Sequence, residues 1–245
     1  LGLAVNPMPG GEIELSWKST LGKFYDILIN PNLSTPRETW AELPDAQDIA
    51  ADPSGTNTLV ITLPFPEEGF LAVREKNPPP LFSDDLETGA AGWTTIINDA
   101  FGNTEWELGT PTGTTGPLAG AGESVNAWCT GLGDYGVESD ISLRTPAIDL
   151  SGVASALLSF DAYRDADGFG DTATIRFLRS SDQSQLGEDV PIDMTIFDVD
   201  YDAIEVLVPA AAIGESVLIE FNFVSDGTLD TFSGLCLDNI LVQVP

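Results

Sequence analysis

Alternation of polar and apolar residues over about four to eight positions marks a half-buried strand, and this chain carries that pattern almost throughout. Glu12–Trp17 alternates, Lys18–Gly22 reads as a turn, and Phe24–Ile29 restarts the pattern. Thr58–Leu63 and Phe70–Arg74 repeat it. After the proline run Pro78–Pro80, strands are predicted at Phe82–Trp93, Trp93–Ile97, Glu105–Leu108 and Ser124–Thr130, then across the extended segment Ser142–Leu150. Ala154–Tyr163, Thr172–Arg179, Ala203–Val208, Ser216–Val224 and Gly234–Val242 complete the series. Gly109–Gly122, rich in Gly, Thr and Pro, is a long loop, and no stretch has the period of an amphipathic helix. The expected fold is all-β.

The proline run divides the chain. Residues 1–77 read as a small immunoglobulin-like sandwich, 78–80 as a stiff linker holding two domains in a fairly fixed relation, and 81–245 as a larger β-domain. A length of 245 residues suits two domains, each able to bury a core.

Composition adds charge to this picture. The chain has 39 acidic and 9 basic residues, net −30; residues 1–78 hold 11 and 5 of these, and the remainder 28 and 4. Such a field repels nucleic acid and anionic membranes and favours solubility and cations. It reads as a solvated acidic surface, as outside the cell or in salt water, and as an oxygen-rich environment suited to calcium. No apolar run approaches the ~20 residues of a membrane span, so membrane insertion is not expected. The absence of histidine excludes Ser-His-Asp and Cys-His catalysis and His-ligated zinc. With no way to single out one carboxylate pair among so many acids, the expectation is that the chain is not an enzyme. Two cysteines, Cys129 and Cys236, fit either one disulfide or two buried thiols. A start at Leu1, with neither Met nor signal peptide, is expected of a processed or excised chain.

Two resemblances sharpen the division. Leu15–Trp17, Gly22–Tyr25 and Phe70–Arg74 resemble fibronectin type III-like modules over about the first third of the chain. Phe82–Glu87 with Gly92 and Trp93, Trp106, Trp128–Thr130 with Tyr135, Leu143–Leu150, Leu157–Phe160, Asp171 with Ala173, and Gly234–Ile240 resemble MAM-like, choice-of-anchor and immune-inhibitor-A-type jelly-roll accessory domains. That plan is shared with jelly-roll carbohydrate-binding modules. The resemblance implies first and last strands side by side, with an early Glu87 and a late Asp238 holding a structural calcium together with backbone carbonyls, and Asp85 nearby. The alternative is that both carboxylates accept loop N–H groups. If the strands bearing Cys129 and Cys236 are neighbours, a disulfide would join them, worth roughly 3–5 kcal/mol.

Other residues suggest chemistry directly. Asp165, Asp167 and Asp171 alternate around glycines as in a calcium loop, or form an acidic hairpin turn. Asp198, Asp200 and Asp202, on one strand face, would want solvent or a cation. Trp17 and Trp40, like Trp93 and Trp128, are expected in cores, whereas Tyr135 and Phe169, in glycine-bordered turns, are the expected exposed ligand-binding aromatics. Together these point to a secreted, cell-surface binding or adhesion protein, with a glycan or protein partner and calcium. Two alternatives are a subunit that self-associates into an extracellular filament, sheath or surface layer, and an accessory region of a secreted hydrolase.

Overall fold

The computed structural model describes residues 2–62, 69–229 and 231–245. Among these the regular structure is β, apart from a short 3-10 turn at Arg37–Thr39. The chain divides into two compact units, Leu1–Pro79 and Pro80–Pro245.

Unit 1 contains β1 (Leu3–Pro7), β2 (Glu12–Lys18), β3 (Phe24–Asn30), β4 (Ala41–Glu42), β5 (Ile49–Ala50), β6 (Thr56–Thr62) and β7 (Phe70–Lys76). One antiparallel sheet runs β1-β2-β6; in the other, β3 pairs with β4, β5 and β7. Alternation sends Leu15 and Trp17 of β2, Tyr25, Ile27 and Ile29 of β3, and Ile61 of β6 into one core. Leu63, placed in a strand by its sequence, lies outside the described residues. On the opposite side of β3, Asp26 is fully buried beneath Arg74 and Lys76, 2.6 and 2.8 Å away. Burial works against its ionisation, but hydrogen bonds from Lys76, the Asp48 N–H and Arg74 outweigh that and hold it below the usual carboxylate range.

Unit 2 contains β8 (Phe82–Asp84), β9 (Thr94–Ile97), β10 (Glu107–Gly109), β11 (Ala127–Cys129), β12 (Asp140–Arg144), β13 (Ile148–Asp149), β14 (Leu157–Asp165), β15 (Thr172–Arg179), β16 (Val190–Ile192), β17 (Asp202–Leu207), β18 (Ser216–Val224) and β19 (Gly234–Gln243). Successive strands pass back and forth between two antiparallel sheets, as in a jelly roll. The first sheet is β10-β11-β19-β14-β17 with β8 also on β19, and the second is β16-β15-β18-β12-β9 with β13 on β18. Inward residues of both sheets form one core, in which Phe160 of β14 meets Phe221 of β18 edge-on at 5.3 Å.

The first and last strands of unit 2 do lie side by side: Phe82 pairs with Val242 and Asp84 with Ile240. Farther along the same edge of β19, Trp128 and Cys129 of β11 pair with Leu237 and Cys236. The strand expected over Phe82–Trp93 is, however, only three residues long. Asp84 accepts the Leu86 N–H at 2.9 Å and Leu86 turns to φ 61°, so the chain leaves the sheet there. The segment Ser142–Leu150 likewise breaks near Pro146, giving β12 and β13. Strands β1 and β16, missed in the pattern, carry Pro7 and Pro191 at sheet edges, where a missing N–H is tolerated.

Candidate functional site

The segment between β10 and β11 has no regular ladder, so its backbone N–H groups need other acceptors. Acidic side chains supply many of them. Asp134 accepts the Thr114 N–H and hydroxyl, both at 2.6 Å, and Asp165 accepts the Thr115 hydroxyl at 2.5 Å. Tyr201 donates its hydroxyl to Ala119 O at 3.1 Å, and Asp238 accepts the Ala121 N–H at 2.8 Å. Glu87 accepts from the Ser124 hydroxyl, Val125 N–H and Asn126 N–H at 2.8, 3.0 and 2.7 Å. Ala127, Cys129, Tyr163 and Cys236, a small cluster separate from the main core, pack with Tyr201 beside this loop.

A bulge aims Asp238. Between β14 and β19, Ser159 pairs with Leu241 but Asp161 with Asp238, so β19 carries one extra residue. Asn239 absorbs it at φ 49°, donating its side-chain amide to Asp161 and its N–H to Asp238. The bulge shifts the phase of β19: Leu235 and Leu237 face the main core before it, Ile240 and Val242 after it. Asp238 thus leaves the main core yet is fully buried beneath the loop. Burial pushes its pKa up, with Asp161 adding to the effect, while N–H donors from Ala121 and Asn239 oppose it. Glu87 is held low by the Asn126 N–H and the Ser124 hydroxyl.

The surroundings of Asp238 converge on one point. A Cβ added to Gly120 would lie 2.5 Å from Asp238 Oδ2, 2.6 Å from Ser124 Oγ, and against Asn126 O. One carboxylate, a hydroxyl and a carbonyl thus gather around a position only glycine leaves open, with Glu87 joined to them through the Ser124 hydroxyl. Hard oxygen donors of this mix fit calcium, with water to complete the shell. Among the described residues, no three acidic or cysteine side chains converge as a metal cluster, so such an ion would depend on the neutral oxygens. Asp85 is exposed, accepts the Glu87 N–H at 3.2 Å, and lines a neighbouring cleft with Asp84, Thr88 and Asn239.

The Asp165–Asp171 set does not close on one centre. Asp165 turns to the Ser233 N–H and hydroxyl at 3.0 and 2.9 Å, whereas Asp171 accepts the Tyr135 hydroxyl and the Asp226 N–H. Asp167 caps its own turn, accepting the Phe169 N–H. Tyr135 corrects the expectation of exposure: it is buried, 5.1 Å edge-on to Phe223, with its hydroxyl on Asp171. Glycines around it permit a turn, but a buried acceptor draws the phenol inward. Phe169 is fully exposed. The Asp198–Asp202 set does meet a cation, and it is Arg164: Asp198 binds it through both oxygens at 2.8 and 3.0 Å and Asp202 at 2.8 Å. Of the three, only Asp202 belongs to a strand. Cys129 and Cys236 are joined as a disulfide between directly opposed residues of β11 and β19.

One site escaped the sequence reading. A cleft of about 430 Å³ lies between Gly116–Gly122 and Tyr163, Val199, Asp200 and Tyr201. The two tyrosines meet edge-on at 5.6 Å. Burial, with Asp238 nearby, pushes the Tyr201 pKa well up, so it remains a hydroxyl donor. A signal was present: on β14, Leu158, Phe160 and Ala162 face the main core, which puts Tyr163 on the other face of the sheet.

No protein-family model and no curated protein matches this chain. Several solved structures are similar to part of it. A cleaved adhesin domain of Lys-gingipain from Porphyromonas gingivalis shares 20% identity at TM-score 0.47, over 67% of this chain and 98% of that one. A CBM22-1 xylan-binding domain from Paenibacillus barcinonensis shares 12% at 0.40, over 67% and 94%. A family 11 carbohydrate-binding module from Clostridium thermocellum, complexed with a mixed-linked tetrasaccharide, shares 11% at 0.40, over 65% and 92%. At these identities and scores the likeness carries no ligand or activity to this chain.

Proposed function

We propose that the chain is a non-catalytic extracellular binding protein whose unit 2 recognises glycan in the cleft between Gly116–Gly122 and Tyr201. The cleft itself carries the reading. Ring surface from Tyr163 and Tyr201 with the exposed Leu118 and Val199 offers an apolar floor and walls, while loop carbonyls and Asp200 accept hydroxyl protons. A concave site that combines apolar ring surface with fixed polar groups is how small polar ligands are held. The loop is pinned by Asp134, Asp165, Asp238 and Glu87, so it is set in place before a ligand arrives. Calcium at the Glu87–Asp238 clasp, drawing on Ser124 and Asn126, would stabilise this arrangement. The disulfide fits an oxidising, extracellular setting. Retention on immobilised polysaccharides or a glycan array tests the reading. Retention that disappears in Tyr201→Ala supports it; failure to bind any glycan, or retention unchanged in Tyr201→Ala, rejects it.

A further inference from the structure

Beyond the glycan cleft, loops at one end of unit 2 carry large apolar side chains that the fold leaves largely or wholly exposed. Phe169, Leu229 and Phe197 are 101%, 84% and 56% exposed, and Ile196 is exposed beside them. The loops bearing them touch. A Cβ at Gly168 would lie 2.5 Å from Thr195 Cα and 2.6 Å from Met194 O, so residues 165–171 pack backbone to backbone against the loop of Ile196 and Phe197. Phe197 rests on Phe232 with ring centroids 5.6 Å apart, and Phe232 packs against the main core. The Asp226 N–H donates to Asp171 at 2.9 Å, tying the Leu229 loop to the Phe169 loop.

The Phe169 turn is firmly built. Gly170 and Asp171 donate their N–H groups to Asp167 O at 3.2 and 2.8 Å, and the Phe169 N–H meets the Asp167 carboxylate. A phenylalanine held rigidly in water gains nothing for folding, and a cluster of such residues marks an interaction surface. Little ordering entropy remains to be lost when a partner covers it.

Charge selects the partner. Among the described residues of 165–171, 193–202 and 226–232 there are eight acidic residues and no Lys or Arg; Asp165 and Asp171 are buried, which leaves Asp167, Asp193, Asp198, Asp200, Asp202 and Asp226 toward the surface. The one arginine next to them, Arg164, is already held by Asp198 and Asp202. Anionic lipid and nucleic acid are repelled by such a rim, and a second copy would bring the same sign of charge. We propose that this loop end docks a basic, apolar protein segment, with apolar side chains against Phe169, Ile196, Phe197 and Leu229 and Lys or Arg against the acidic rim.

The full chain can be titrated with a labelled amphipathic peptide of Leu and Lys, beside matched Leu/Glu and Lys/Ser peptides. Binding of Leu/Lys alone, weakened by about tenfold or more in Phe169→Ser/Phe197→Ser, supports the proposal. Asp167→Asn/Asp193→Asn should weaken it too and flatten its salt dependence. Phe169, Phe197 and Asp193 are exposed and Asp167 partly so, and an unchanged melting curve confirms folding. Equal affinity for wild type and Phe169→Ser/Phe197→Ser overturns the proposal, as does equal binding of Lys/Ser. Phosphatidylcholine vesicles or self-association occupying the patch in place of the peptide, with the same sensitivity to Phe169 and Phe197, also overturns it.

Discussion

Glu87 and Asp238, near the two ends of unit 2, grip the same loop: Glu87 accepts the Val125 and Asn126 N–H groups, and Asp238 accepts that of Ala121. Ser124 lies between them, donating its hydroxyl to Glu87 and lowering the Asp238 pKa through a second contact. Asp238→Ala is expected to destabilise unit 2 by about 1–3 kcal/mol, the usual effect of leaving a buried N–H without its acceptor. If the clasp holds calcium, the ion raises the melting temperature of wild type and a chelator lowers it, while Asp238→Asn and Glu87→Gln respond weakly. Differential scanning fluorimetry with calcium and with chelator reads this; equal responses in all three proteins would remove calcium from the clasp.

Gly120→Ala tests the same place without touching a carboxylate. The added methyl meets Asp238 Oδ2, Ser124 Oγ and Asn126 O, none of them free to retreat from its hydrogen bonds. A loss of about 1–3 kcal/mol is expected, as for overpacking a tight site. Urea denaturation measures it, and the calcium response should fall with it.

The Cys129–Cys236 disulfide closes a span of 107 residues. Chain-entropy arguments give about 4–5 kcal/mol for a loop of that size. Cys129→Ala/Cys236→Ala, compared with wild type by urea denaturation with and without reductant, should show a loss of that order, and reductant should affect only the wild type.

The two units contain buried carboxylates with opposite pH behaviour. Asp26 is held low, so its native state binds a proton less readily than the unfolded chain. Its contribution is full above the ordinary carboxylate range and is lost as pH falls through the depressed value. Asp171 is raised by burial, with Asp226 and Asp167 adding to it and the Tyr135 and Asp226 hydrogen bonds opposing. Its contribution is present at low pH and declines as pH rises through the raised value. Asp26→Asn should therefore cost most near neutrality, about 2–3 kcal/mol, and progressively less below about pH 4. The stability of Asp171→Asn relative to wild type should instead worsen as pH falls from about 7 to about 4. Denaturation series on both variants across this range check the two signs.

Local pattern revealed most of the strands because inward and outward residues alternate, as Leu158, Phe160 and Ala162 do against Tyr163. Glu87 and Asp238 are singled out through the jelly-roll resemblance, and what the structure shows of them is that both hold the loop 121–126. Long-range partnership was not legible. Nothing in the spacing of Asp198 and Asp202 points to Arg164, and nothing around Tyr135 announces Asp171. The bulge left a trace that is clear once the register is known: apolar positions shift from Leu235 and Leu237 to Ile240 and Val242, a change of parity across Asn239.

Strand β19 pairs with β8, β11 and β14, so the start, middle and end of unit 2 all depend on residues 234–243. A chain emerging from a ribosome presents those residues after the rest of the unit. Until they arrive, β8 and one edge each of β11 and β14 wait without a neighbour, and Cys129 without its disulfide partner. Closure of unit 2 therefore waits for β19 and is dominated by distant pairings, which makes it slow and leaves open edges for holdase chaperones to shield.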